Sequence, residues 1–287
     1  MLGFVDFSPQ RGQALLIIVL IMVVALTVGL SVATRSITSL RTSTEEANSA
    51  QALSAAEAGL ERSLSTGASI ASEALPESLP NQSSYFTSVT TKSGSQILLN
   101  NGTIIPRDEG IDLWFVAHTC GSDGKSPCWG APWSPSPLVG TINVYWDTNS
   151  CNNSAAVEIA VVSGNSASPV LTRYVYDPCS DRRVGGTNPN NFSAAQAGGQ
   201  IEGKTLNYST GSISITDGLI ARIIPIYKDT VIGVDASSAL PSQGSVITAT
   251  GSLGAGNSKI VRKLTAFQAY PSLPAEYFTF GIFSPSN

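Results

Sequence analysis

The chain has 287 residues and a formal net charge of −4, and Asp, Glu, Lys and Arg together make up 13% of it. That is about half the usual charged fraction, and with no basic block the electrostatic footprint of a nucleic-acid binder is missing. One histidine, and four cysteines with no Cys-x-x-Cys pair, argue against a zinc ribbon or a histidine-rich catalytic centre.

The first strong signal along the chain is an uncharged run from Gln13 to Thr34, preceded by Arg11-Gly12 and ended by Arg35. At about 1.5 Å per residue a helix of this length covers roughly 30 Å, the thickness of a bilayer's hydrocarbon core. Leu, Ile and Val occupy every face, unlike the one-sided stripe of a soluble helix. The run predicts a membrane-spanning helix over 13–34. A cleavable secretory signal is the rival reading, since Arg11 gives a basic flank and Ser31-Val32-Ala33 gives small residues for cleavage. The helical pattern, however, continues past that point. Ile37, Leu40, Ala47, Ala50, Leu53, Ala56, Leu60 and Leu64 recur mostly three or four apart, without proline and without glycine before Gly59. An amphipathic continuation over 35–66 follows, with Leu53, Leu60 and Leu64 as the face that packs on a sheet and Gly67 as the stop. The whole of 13–66 then makes one rod of roughly 80 Å.

A short polar leader ending in Arg11-Gly12, followed by Gln13-Ala14-Leu15-Leu16 opening an apolar helix, resembles a class III leader cut by prepilin peptidase. The later stretch Ala52-Leu53-Ser54-Ala55-Ala56-Glu57-Ala58-Gly59-Leu60-Glu61 is similar to the AAEAGLE segment of type IV pilin-like minor subunits of the PilX and GspK type. The resemblance covers about the first quarter of the chain. It implies a leader over 1–12, processing at Gly12 and Gln13, and a helix whose residues Ala14, Leu15, Leu16, Ile17, Ile18 and Leu20 serve membrane and filament in turn. Major pilins of this family carry a glutamate at the fifth mature position, where this chain has Ile17. A buried carboxylate is expensive unless paired, and tip-type minor pseudopilins also lack it, so Ile17 points to a minor, priming or tip subunit. Positive charges flank the apolar run on both sides (Arg11, then Arg35 and Arg41), so the charge rule does not orient the helix. The leader and the cysteines place 67–287 outside the cytoplasm.

That region reads as β-rich, giving an α+β chain: a long N-terminal helix followed by an antiparallel β-rich extracytoplasmic domain with long loops. Ile111, Leu113, Phe115 and Ala117 alternate with Asp112, Trp114, Val116 and His118, and Ile142, Val144 and Trp146 with Thr141, Asn143 and Tyr145. Ala156–Val162 and Val170–Tyr176 form a predicted hairpin centred on Asn165, with Val157 facing Arg173 and Ile159 facing Leu171. That register sets Cys151 opposite Cys179, within disulfide reach, and leaves Cys120 and Cys128 to staple a small loop. Such bonds fit an oxidising compartment. Residues 181–204 carry little apolar content and are predicted to be a long surface loop. Further strands are expected over 219–234, with Pro225 at an edge or bulge, and over 245–250, 260–267 and 277–283.

Catalysis finds little support. A Ser-His-Asp or Cys-His site must use His118, and no Gly-x-Ser-x-Gly is present. Gly124-Lys125-Ser126 has Thr119 where a phosphate loop needs its first glycine. A metal site of His118, Cys120 and Cys128 lacks a fourth ligand of sensible spacing, so neither metal nor cofactor is expected. Trp129 and Trp133, beside Cys128, form a possible binding loop, and Trp146 also looks exposed; the plainer reading has these rings capping the core. The chain is therefore expected to be a non-enzymatic, single-pass membrane subunit of a type IV pilus or type II secretion-like filament, displayed at the cell surface after assembly. Its expected partners are other pilin or pseudopilin subunits, prepilin peptidase, an inner-membrane assembly platform and membrane lipid. The competing expectation is a membrane-anchored or secreted β-domain that binds or adheres without entering a filament.

Overall fold

The computed structural model describes residues 11–120, 126–128, 137–165, 168–185, 187, 189–254, 256, 259–275 and 278, with side chains from Leu15 on. The protein is α+β, with one long N-terminal helix and a region of antiparallel sheets. The chain divides into two compact units. The first holds 1–59, 71–86 and 249–264; the second holds 60–70, 87–248 and 265–287.

Helix α1 runs Arg11–Thr66 without a break. It ends where Gly67 takes φ +68° and its N–H bonds the carbonyl of Ser63 at 2.8 Å, the left-handed cap that only glycine adopts cheaply. Fourteen strands follow among the described residues. They are β1 (Glu77–Ser78), β2 (Ser83–Thr91), β3 (Gly94–Leu98), β4 (Ile111–Trp114), β5 (Leu138–Trp146), β6 (Ala156–Asn165) and β7 (Ser168–Asp177), then β8 (Ser193–Ala194), β9 (Gln196–Ile201), β10 (Lys204–Ser209), β11 (Ile213–Ile226), β12 (Ile232–Leu240), β13 (Gly244–Leu253) and β14 (Ile260–Ala269). One sheet has the order β1-β2-β13-β14. The other has ten strands, β3-β12-β5-β11-β6-β7-β8, with β4 on β11 and the β9–β10 hairpin on β5.

In the first unit, the packed face of α1 consists of small residues. Ala52, Ala55 and Ala56 are fully buried, whereas Leu53 is 36% exposed and does not belong to that face. The reason is the distance of approach. A Cβ on Gly251 of β13 would stand 2.1 Å from the Ala52 carbonyl oxygen and 2.5 Å from the Ala56 nitrogen. Backbone meets backbone here, and a leucine on this face would prise the two apart. In the second unit, Ser63 is buried against Thr87, their hydroxyls 2.6 Å apart, and Leu60 and Leu64 are half-buried at the margin of the same face.

The ten-stranded sheet is buried on both sides at its centre. Leu113, Val157, Ile159, Ala221 and Ile223 point into one cluster together with Trp146. Trp114, Ala160, Ile220 and Phe278 form another. Trp146 is completely buried, with its indole N–H on the Ala155 carbonyl at 2.9 Å, so it caps nothing at the surface. Pro225 sits inside β11, opposite Val157 on β6. Its carbonyl accepts the Asp108 N–H at 2.8 Å. Nitrogen and carbonyl of an extended residue point the same way, so the missing donor falls on the side where β4 has already ended, and the β6 ladder loses nothing.

Two further sequence expectations need correction. The β6–β7 hairpin pairs Val157 with Tyr176, Ile159 with Tyr174 and Asn165 with Ser168. The register is therefore shifted by three residues, because Ser163-Gly164-Asn165 continues the strand instead of turning. The 181–204 stretch is not one long loop, since it contains β8 and β9 and enters β10. Its low apolar content reflects close approach: a Cβ on Gly198 would lie 1.8 Å from the Leu206 carbonyl oxygen. The strand expected over 277–283 lies outside the described residues, apart from Phe278.

Candidate functional site

The most conspicuous surface is the first half of α1. From Leu15 to Val32 every large apolar side chain is between 53% and 72% exposed, on all sides of the helix. Its most apolar window reaches a mean hydropathy of 3.1, and among the described residues α1 alone is long and apolar enough to cross a membrane. Leu15, Leu16, Ile17, Ile18 and Leu20 belong to this surface. Gly12, Gln13 and Ala14 lie on the helix backbone, with side chains outside the described set. Burying one such side chain is worth roughly 1.5–3 kcal/mol, so the fourteen of them make a strong demand for an apolar surrounding. Thr27, Thr34 and Thr38 meet that demand locally by bonding their hydroxyls to carbonyls three or four residues back.

Both disulfides lie in the β-rich region. Cys120 and Cys128 are bonded with Cα atoms 5.2 Å apart, and Cys151 and Cys179 with Cα atoms 5.0 Å apart. Extending the observed β6–β7 register would put Cys151 level with Arg182, so the strand ladder does not bring these cysteines together. The tight turn at Cys151–Asn153 and the bend after Asp177 do. With both thiols of the stapled loop used, Cys120 and Cys128 are not available as metal ligands, and no group of three potential ligands occurs among the described residues. Trp129 and Trp133, the expected binding loop, lie outside the described residues.

The bend after Asp177 is held by a charged cluster that sequence reading missed. Asp177 is fully buried and accepts from Arg182 Nε at 2.9 Å and Nη2 at 2.6 Å, from the Cys179 N–H at 2.8 Å and from Asn190 Nδ2 at 2.8 Å. Burial by itself would raise the Asp177 pKa, but these donors outweigh it and hold the carboxyl below its ordinary value. Arg182 also stacks over the Tyr227 ring at 5.0 Å.

His118 lies at the edge of the second cluster. Its ring stacks on Tyr270 with centroids 3.7 Å apart and meets Trp114 edge-on at 4.2 Å. It is 7% exposed, and its buried Nδ1 has no hydrogen-bond partner among the described residues. Burial lowers its pKa from 6.5 to about 4. The sign of the linkage follows directly. Above pH 6.5 neither folded nor unfolded chain holds the proton, and stability is full. As pH falls from 6.5 towards 4 the unfolded chain takes up a proton that the folded one refuses. The loss approaches about 3 kcal/mol, at 1.36 kcal/mol per pKa unit. Urea unfolding measured across pH 4–7 should show this slope, and His118→Gln should remove it; an identical slope in the variant would assign the acid sensitivity elsewhere. Asp177 does not confuse the reading, because a carboxylate with lowered pKa gives up its stabilisation only below its ordinary 3.8.

A cleft of about 650 Å³ opens beside this stack, bordered by Trp114, His118, Tyr270, Pro271, Ser245 and Gln268. No family model, curated protein or solved structure matches the chain.

Proposed function

We propose that the chain is a minor, pilin-like subunit that works by assembly and not by catalysis. The observation that carries this reading is the construction of α1. A segment apolar on every face continues, with no break in the helix, into a segment whose small residues Ala52, Ala55 and Ala56 are packed. A discarded signal sequence has no reason to be joined in one rod to a helix that packs in the mature protein. An anchor that later moves from lipid into a fibre needs both: a surface soluble in hydrocarbon and a rigid link to the folded region. In a fibre, the same exposed Leu, Ile and Val side chains are buried by neighbouring helices in a head-to-tail arrangement that does not close on itself.

In this reading the leader 1–12 is removed after Gly12 by a prepilin peptidase, Gln13 becomes the first residue, and an inner-membrane assembly platform moves the subunit into a pilus or secretion filament. The β-rich region faces the extracytoplasmic side, where its two disulfides persist. Ile17, at the fifth mature position, brings no buried carboxylate to pair with a neighbour's N-terminus, which supports a priming or tip position.

Mass spectrometry of the mature N-terminus tests the proposal. Gln13 as first residue is the expected result, and Gly12→Val should leave the whole population uncut at Met1. A parent chain that starts at Thr34 would instead identify an ordinary secreted protein, and one that retains Met1 a plain membrane anchor.

A further inference from the structure

The cleft beside His118 is not used by the assembly reading, and its chemistry is selective. Its volume of about 650 Å³ falls within the range of roughly 300–1,000 Å³ typical of small-ligand sites. Among the described residues that border it there is no Asp, Glu, Lys or Arg. A charged ligand would leave water with none of these described side chains to pair with, at a cost of several kcal/mol. A purely apolar ligand fits no better, because it would cover the hydroxyl of Ser245 and the amide of Gln268 without bonding them. Gln268 is exposed and, among the described residues, spends only its Nε2, on the Leu64 carbonyl at 3.5 Å. Among the other bordering residues, Tyr270, stacked on the buried His118 ring, and Pro271 give flat walls, and Leu64 and Leu273 add apolar ones.

We propose that this cleft binds a neutral saccharide of one or two pyranose rings. A pyranose presents a C–H face, which suits the aromatic and proline walls, and a rim of hydroxyls, which suits Ser245 and Gln268. Neither face nor rim carries charge, in keeping with the lining. His118, behind the Tyr270 ring, stays neutral throughout pH 5–8 and so brings no charge to the cleft. Leu64 and Ser65 at the end of α1 border the cleft, but binding there does not require a filament, so the test below reads apart from the filament reading.

The test uses the full chain in a zwitterionic, sugar-free detergent, with saturation-transfer NMR against lactose, maltose and cellobiose at about 10 mM, which detects millimolar dissociation constants. At least one of the three is expected to bind, with sialyllactose weaker than lactose. Gln268→Ala, on an exposed side chain, should weaken binding about five- to tenfold through the lost hydrogen bond. Tyr270→Ala should abolish it, and the melting temperature of each variant is to be recorded beside the affinity. No transfer to any of the three sugars would overturn the proposal. So would a preference for sialyllactose, or an affinity unchanged in Gln268→Ala.

Discussion

Replacing Asp112 by alanine is expected to destabilise the β-rich region by about 3–5 kcal/mol, lowering its Tm by roughly 6–20 °C. Asp112 on β4 and Arg222 on β11 are side by side in the ladder, with side chains only 4% and 8% exposed. Arg222 donates Nε to Oδ1 at 2.7 Å and Nη2 to Oδ2 at 2.9 Å, a two-pronged pair. Oδ2 also accepts the Leu273 N–H at 2.8 Å, while Arg222 donates to the Leu273 carbonyl and lies 4.2 Å from the centre of the Phe278 ring. The alanine would leave a guanidinium out of water with its charge uncompensated and would strip Leu273 of its acceptor. The damage comes from the orphaned charge more than from the bond itself. Replacing both partners by apolar residues of similar volume, Asp112→Leu with Arg222→Met, should therefore regain much of the loss. Calorimetry of the full chain in detergent reads both effects. A single variant that melts within about 2 °C of the parent would sink the assignment.

Gly251→Val is expected to cost about 3 kcal/mol or more and to detach the packed part of α1 in the first unit. The atoms a side chain would strike are the Ala52 carbonyl oxygen and the Ala56 nitrogen. These are helix backbone, which cannot rotate aside as the end of a flexible side chain can. Nearby bonds should be lost with it, namely Arg262 Nε to the Ser49 hydroxyl at 2.8 Å and the Gln51 side chain to the Asn81 carbonyl. Hydrogen exchange over 48–58 reports the detachment. Gly29→Val in the same helix is the control, since a Cβ there meets nothing within 4 Å. Protection over 48–58 that is equal in the parent and Gly251→Val would refute the close-packing account.

The interest of these two sites is that neither was visible as a site in the chain's order of residues. Arg222 was the better clue of the two. A lone arginine inside Leu219-Ile-Ala-Arg-Ile-Ile224 has no solvent-facing reason to be there, and a buried arginine implies a partner. Finding that partner 110 residues earlier needed the strand pairing. Asp177 and Arg182 are close in sequence, yet only the bend stapled by Cys179 turns their side chains together.

Local periodicity by itself determined that residues from Gln13 to the middle sixties form one helix, that its first half is apolar on every side, and that Ile142, Val144 and Trp146 share one face of a strand; that Trp146 is buried there was decided by the fold. Such patterns repeat every 2 or 3.6 residues and need no knowledge of what lies opposite. Tertiary structure alone decided the rest, because pairing is a relation between distant segments. It moved the β6–β7 register by three residues, since turn-forming residues such as Gly164 and Asn165 also fit in a ladder. It drew a hairpin from the glycine-rich 196–209, where the missing side chains make room for a neighbouring backbone. It also gave the packed face of α1 to alanines and not to Leu53, because the partner strand comes too close for anything larger.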